Sequence, residues 1–258
     1  MKRTKTLLVM LLMIGCWLSI SAQEEPPKIK ALSVGDELVK PSMVSEYEAA
    51  IKEYMALCAE SEYKYPIYAY STRDFHYYYV TPIEFKYSEL DSIRKYGKKN
   101  YSANPEKWDA VWEKFEGTYE YYIPKLIVQN EELSYKPENP RLNSEERMFY
   151  YWMFCYVLPT KTSEFKDVLK KWKELYKNKN ISDGFNVYWG AMGVEQPLYI
   201  VIMSGKDNAD FWNQASLRRE TLGEEAKQLW KEGGKLLRKY ETKEGWYRPD
   251  LSYILEEK

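Results

Sequence analysis

The chain has 258 residues, with 38 Lys and Arg against 39 Asp and Glu and a single His, and its charges are interleaved. That balance leaves no basic footprint for nucleic acid or anionic lipid, and one His excludes a site built on two. Twenty-five Tyr and nine Trp are the strongest compositional feature, and such side chains serve equally in a core or a ligand pocket.

Residues 1–22 read as an export signal. Lys2, Arg3 and Lys5 precede the apolar stretch Leu7–Ile14, and Ser21-Ala22 offers a small-residue cleavage site before Gln23. The apolar run is too short for a convincing membrane span, and no later stretch is long enough to cross a bilayer. A periplasmic or secreted location is the expectation. Met13-Ile14-Gly15-Cys16 loosely resembles a lipobox, which makes a lipoprotein anchored at Cys16 the alternative; Met13 and the apolar Trp17-Leu18 argue against it. Losing the three signal cations leaves 35 Lys and Arg against 39 acids, a mildly acidic mature chain.

After a short lead-in at Gln23–Lys28, the rest is one unit written twice. Val39–Cys58 (VKPSMVSEYEAAIKEYMALC) recurs 118 positions later as Val157–Tyr176 (VLPTKTSEFKDVLKKWKELY). At the same offset Trp112 meets Trp230, and Leu133-Ser134-Tyr135 meet Leu251-Ser252-Tyr253. A period this long means a duplicated domain rather than a solenoid, whose repeats run to about 50 residues. The expected division is residues 28–135 for the first unit, 136–145 for a linker rich in Pro and Asn, and 146–258 for the second.

Each unit opens on a strand, Ile29–Val39 or the aromatic Met148–Leu158, followed by Pro. A helix follows. Tyr47, Ala50, Ile51, Tyr54, Leu57 and Cys58 form its apolar stripe in the first unit, with Ser45 and Glu48 spaced as a capping box. Phe165, Val168, Leu169, Trp172, Leu175 and Tyr176 match it in the second, with Ser163 as N-cap. A hairpin comes next, Ile67–Tyr70 with His76–Val80, or Phe185–Trp189 with Leu198–Met203. A second helical stripe runs through Trp108, Val111, Trp112, Phe115, Tyr119 and Tyr122, repeated in Ala226, Leu229, Trp230, Gly233, Leu237 and Tyr240. Closing strands are expected at Glu131–Tyr135 and Pro249–Ile254.

The order strand, helix, hairpin, helix, strand is the βαββαβ pattern of a ferredoxin-like unit, an α+β fold with one bare sheet face. Strand Met148–Leu158 carries large residues on both faces, so it is buried on both. Two units closing their bare faces into a pseudo-dimeric α+β barrel satisfy that pattern. The stretches Phe185–Trp212 (FNVYWGAMGVEQPLYIVIMSGKDNADFW) and Gly245–Ile254 (GWYRPDLSYI) resemble an exported Bacteroidota family with a tandem repeat. It falls in the dimeric α+β barrel superfamily, with antibiotic-biosynthesis-monooxygenase-like and NIPSNAP-like proteins. The resemblance implies a cleft between the sheets that takes a small organic molecule or haem.

His76 is the first candidate in that cleft, with Arg73 and Asp74 in the same turn. It reads as a haem or metal ligand or as a general base oriented by Asp74, or else as a hairpin His satisfied locally, since the second unit has Leu198 there. Trp152, Tyr156, Tyr188, Trp189 and Tyr199 are the candidate lining, with simple core filling as the alternative. Together with Arg73 and His76 they make the expected ligand-binding set. Cys58 and Cys155 read as buried hydrophobes rather than a disulfide. No metal motif or phosphate-binding loop is present, so neither metal nor cofactor is expected, with haem as the exception that the resemblance allows. Three functions fit: an exported binder of a small organic ligand, a cofactor-free monooxygenase or haem-handling enzyme, and a structural protein without a pocket.

Overall fold

The computed structural model describes residues 29–255, so the signal, Cys16 and the lead-in lie outside the described residues. The first unit runs β1 (Lys30–Val39), α1 (Val44–Glu60), β2 (Tyr68–Thr72), β3 (His76–Glu84), α2 (Tyr87–Ala103), α3 (Pro105–Phe115) and β4 (Tyr119–Gln129). The second runs β5 (Phe149–Val157), α4 (Thr162–Asn178), β6 (Asn186–Met192), β7 (Leu198–Gly205), α5 (Asn208–Gly234) and β8 (Leu237–Tyr247). The strands close one antiparallel barrel in the order β1-β3-β2-β8-β5-β7-β6-β4, with β4 returning to β1. The seams between units are β2 with β8 and β4 with β6. Closure removes the free sheet edges that two separate units would expose. None of the helices described is long and apolar enough to cross a membrane.

The duplication persists down to single hydrogen bonds. Ala69 N donates to Ser252 Oγ at 2.9 Å, and Val187 N donates to Ser134 Oγ at 2.9 Å. Tyr253 Oη donates to the Tyr63 carbonyl at 2.8 Å, and Tyr135 Oη to that of Ile181 at 3.0 Å. Each partner pair is again 118 positions apart. The segment after each last strand therefore crosses to the hairpin of the other unit, where Tyr135 bridges Phe185 and Tyr253 bridges Ile67.

That crossing corrects two expectations. The closing strands are β4 and β8, not Glu131–Tyr135 and Pro249–Ile254, which are turns ending in the bridges just described. The second helices stop at Phe115 and Gly234, so Tyr119, Tyr122, Leu237 and Tyr240 stand on strands. Helical spacing carried across those boundaries because Gly117 (φ +74°) and Gly233-Gly234 end the helices without breaking the apolar pattern. The caps differ too. Both α1 and α4 follow a 3₁₀ turn and have Met43 and Lys161 at the N-cap without a side-chain bond. Glu48, freed from a capping box, pairs instead with Arg248, which also holds Asp250.

β5 shows how the barrel sorts its faces. Phe149, Cys155 and Val157 pack outward under α4 and α5 with Phe165, Val168, Leu169 and Phe211. Trp152 packs inward with Val34, Tyr78, Ile127, Leu198 and Ile200, flanked by Tyr150, Phe154 and Tyr156. Each fully buried aliphatic side chain stabilises by about 1.5–3 kcal/mol, so both faces hold the strand in register. Cys58, on the buried face of α1, and Cys155, on β5, are unpaired and buried, and burial pushes both thiols up to about 12.

Candidate functional site

A cavity of about 520 Å³ occupies the barrel, within the 300–1,000 Å³ usual for small-molecule sites. Its walls come from alternate residues of seven strands: Leu32 and Val34, Tyr70, Tyr78 and Val80, Ile127, Tyr150 with Trp152 and Phe154, Tyr188, and Ile200 with Ile202. Tyr70 meets Tyr150 edge to face at 4.9 Å, Trp152 lies 5.8 Å from Tyr150 nearly parallel, and Tyr78 is 5.8 Å from Trp152. Pairs of this kind add about 0.5–1.5 kcal/mol beyond burial, so the wall is a fixed aromatic surface. Burial, with the neighbouring Tyr150 ring, pushes the Tyr188 phenol up to about 12. The wall phenols are protonated, and hence donors, at neutral pH.

One end of the cavity opens beside the segment between the units. Tyr135, Lys136, Pro137, Pro140, Leu142 and Arg147 rim it, facing Ser182–Asn186. Arg141 fastens this rim, donating to Asp183 at 3.0 Å and to both oxygens of Asp210 at 2.8 and 2.9 Å. Arg218, buried on α5, holds the other oxygen of Asp183.

Toward the other end the lining includes Phe154, Tyr78 and Lys125, with a charged chain behind them. Lys125 Nζ bonds Asp36 Oδ2, and His76 Nδ1–H donates to Asp36 Oδ1 at 2.7 Å. His76 Nε2 faces Asp74 at 3.8 Å, and Asp74 also takes Lys243 and the Thr72 hydroxyl. Asp36 is 2% exposed. Burial works against its ionised form, but the His76 bond and the Lys125 charge outweigh burial and hold the carboxyl below its ordinary range. Tyr78 carries the one buried side-chain polar atom without a protein partner among the described residues, its hydroxyl. Such a group costs about 1–3 kcal/mol. Burial, reinforced by Asp36 and Asp74, pushes its ionisation well above the ordinary phenol value.

The candidates from sequence separate. Trp152 and Tyr188 line the cavity. Tyr156 shares their inner face but is not part of the lining, bonded to Glu241 at 3.1 Å with Lys239 over its ring. His76 stands behind the floor and is held by Asp36, with Asp74 at its second nitrogen. Arg73 is at the surface, paired with Glu244 at 3.1 Å. Trp189 packs against Phe85, and Tyr199 against Phe165 under α4, both outside the barrel. Asp36, Tyr70, Tyr78, Lys125 and Tyr150 were missed. An inward charge on a strand whose copy carries Phe154 was the available signal for Asp36.

Neither the imidazole nor the two described thiols reaches the cavity as an axial ligand for haem. The single imidazole has its Nδ1 on Asp36 and its Nε2 toward Asp74, off the lining, and both thiols are outside the barrel. No cluster of three His, Cys, Asp or Glu among the described residues can hold a metal ion.

No protein-family model matches the chain, and no curated protein matches it. Solved structures do. A provisionally assigned monooxygenase from Fusobacterium nucleatum aligns with a TM-score of 0.54 at 15% identity, over 86% of this chain and 94% of its own. An anthrone oxidase-like protein aligns at 0.57 and 10% identity, over 87% and 92%. A chlorite dismutase from Candidatus Nitrospira defluvii aligns at 0.50 and 11%, over 87% and 93%. These likenesses and the eight-stranded closure agree: the chain has the dimeric α+β barrel fold, with both ferredoxin-like units in one polypeptide.

Proposed function

We propose that the protein binds a small organic ligand inside the barrel, and that it does so outside the cytoplasm after cleavage near Ala22. The observation that carries the reading is the cavity itself, walled by six aromatic residues of the barrel strands together with Leu, Val and Ile side chains, and rimmed by the inter-unit segment. A protein whose strands had only a structural task would fill this space with its own side chains, as the outer faces of the same strands do.

Native mass spectrometry of protein purified from its own envelope tests the reading, with an absorption spectrum alongside. A retained small mass, lost when Val34→Trp fills the cavity, is the expected result. A clean apo mass, together with no Trp152 fluorescence change across a panel of flat aromatic compounds, sinks it in favour of the structural reading. A second reading, cofactor-free oxygenation of the bound ligand, has behind it the name of the Fusobacterium relative. Oxygen uptake on adding the recovered ligand would separate it from simple binding.

A further inference from the structure

We infer that the ligand is an organic acid, a flat apolar body whose inner end carries an anionic oxygen seated on Lys125. The inference rests on the ligand-binding reading and adds the chemistry of the ligand's end. It starts from the charges on the lining, which are Lys125, Lys136, Arg147 and Asp183. The one acid among them is already held by two arginines, Arg141 at 3.0 Å and Arg218 at 2.5 Å. The cations are less fully engaged. Lys136 meets Glu131 at 3.6 Å on the exposed side, and Arg147 donates to a neutral acceptor, the Leu142 carbonyl, at 3.0 Å. With Lys125 paired to Asp36 and Asp183 paired to two arginines, Lys136 and Arg147 tip the charge of the lining positive, and low-dielectric walls focus that field.

Lys125 sets the position of the acid. An ammonium has three N–H donors, and Asp36 takes one. The other donors stand at an apolar wall, where an acceptor is worth more than in water. Asp36 is held on its far side by His76, so the lysine is kept in place rather than free to swing out.

The second unit shows that the barrel does not need this charge. In the strand registers Asp36 pairs with Tyr78 and Phe154 pairs with Ile200, while Leu38 pairs with His76 and Tyr156 with Leu198. Asp36, His76 and Tyr78 are thus replaced by Phe154, Leu198 and Ile200 at matching places in the same barrel. Lys243, the copy of Lys125, reaches Asp74 instead. An apolar set closes the second unit, so the polar set in the first is an addition that a ligand group explains.

The test compares two isosteric probes, 2-naphthoate and 2-naphthamide, by calorimetry and Trp fluorescence on the purified protein. The naphthoate is expected to bind about tenfold tighter, the scale of one charge-assisted hydrogen bond. The preference is expected to vanish in the double variant Asp36→Asn/Lys125→Met, which removes both charges together, with amide binding unchanged. Lys125→Arg, which keeps the charge, is expected to retain the preference. Equal binding of the two probes, or a preference that survives in the double variant, overturns the acid and leaves the cavity reading standing. Failure of both probes to bind overturns the two together.

Discussion

Asp36 concentrates the electrostatic cost of the inner floor in one side chain. Its carboxyl ionises below its ordinary value because His76 and Lys125 hold the charged form against burial. The folded pKa is depressed, so Asp36 stabilises the fold at pH above the free carboxylate pKa of about 3.9, and loses that effect as pH falls through the folded value. Urea denaturation is expected to show stability dropping below about pH 4, with a shallower drop in Asp36→Asn. At neutral pH, Lys125→Met alone is expected to cost more than the Asp36→Asn/Lys125→Met pair, because it leaves an acid buried beside His76. These residues were hard to read from sequence for a plain reason. Asp36 and Lys125 are 89 positions apart, and only the pairing of β1 with β4 makes them neighbours.

Among the elements, the second helices are the place where the two copies solve one bend differently. In the first unit Asn104-Pro105 divides α2 from α3, since Pro105 lacks an N–H and disfavours helix at the residue before it. In the second, the position 118 later is Gly223, which bends α5 with φ +58°. Gly223→Ala is expected to destabilise by about 1 kcal/mol despite open space around it, because an L side chain resists that backbone conformation. Gly97→Ala, inside α2 with equally open surroundings and no positive φ, is expected to stabilise by up to about 1 kcal/mol. Thermal melts of the two variants should move in opposite directions. The first helices were legible because their stripes bury a continuous face; the second were legible in their middles but not at their ends, because aromatic spacing ran on past Gly117 and Gly233-Gly234 into β4 and β8. β5 was legible as a strand buried on both sides, yet large residues on both faces hid which side looked inward.

For the whole molecule, the exchanged segments make each unit depend on the other's end. Leu251 is fully buried in the cluster of the first unit though it belongs to the second, and its copy Leu133 is buried in the cluster of the second. Leu251→Ala and Leu133→Ala are each expected to cost about 2–5 kcal/mol, as deep Leu truncations do. Calorimetry should show one transition lowered in both cases, since neither unit keeps its hairpin without the other's tail. Two separable transitions would argue that the halves are independent. The 118-residue offset made the repeat plain, and the alternation in β5 made the closure plain. The exchange was not visible, because Leu133-Ser134-Tyr135 and Leu251-Ser252-Tyr253 read as strands of their own units.

The segment between the units has one more property. Tyr135 to Leu142 is at once the covalent tie between the halves and the rim of the cavity, fastened through Arg141 to Asp183 and Asp210. A doorway made from the hinge cannot widen by itself. Anything that pushes past Pro137 and Pro140 pulls on α5 through Asp210 and on the β6 approach through Asp183. Arg141 thereby couples the position of the rim to α5 and to the approach of β6.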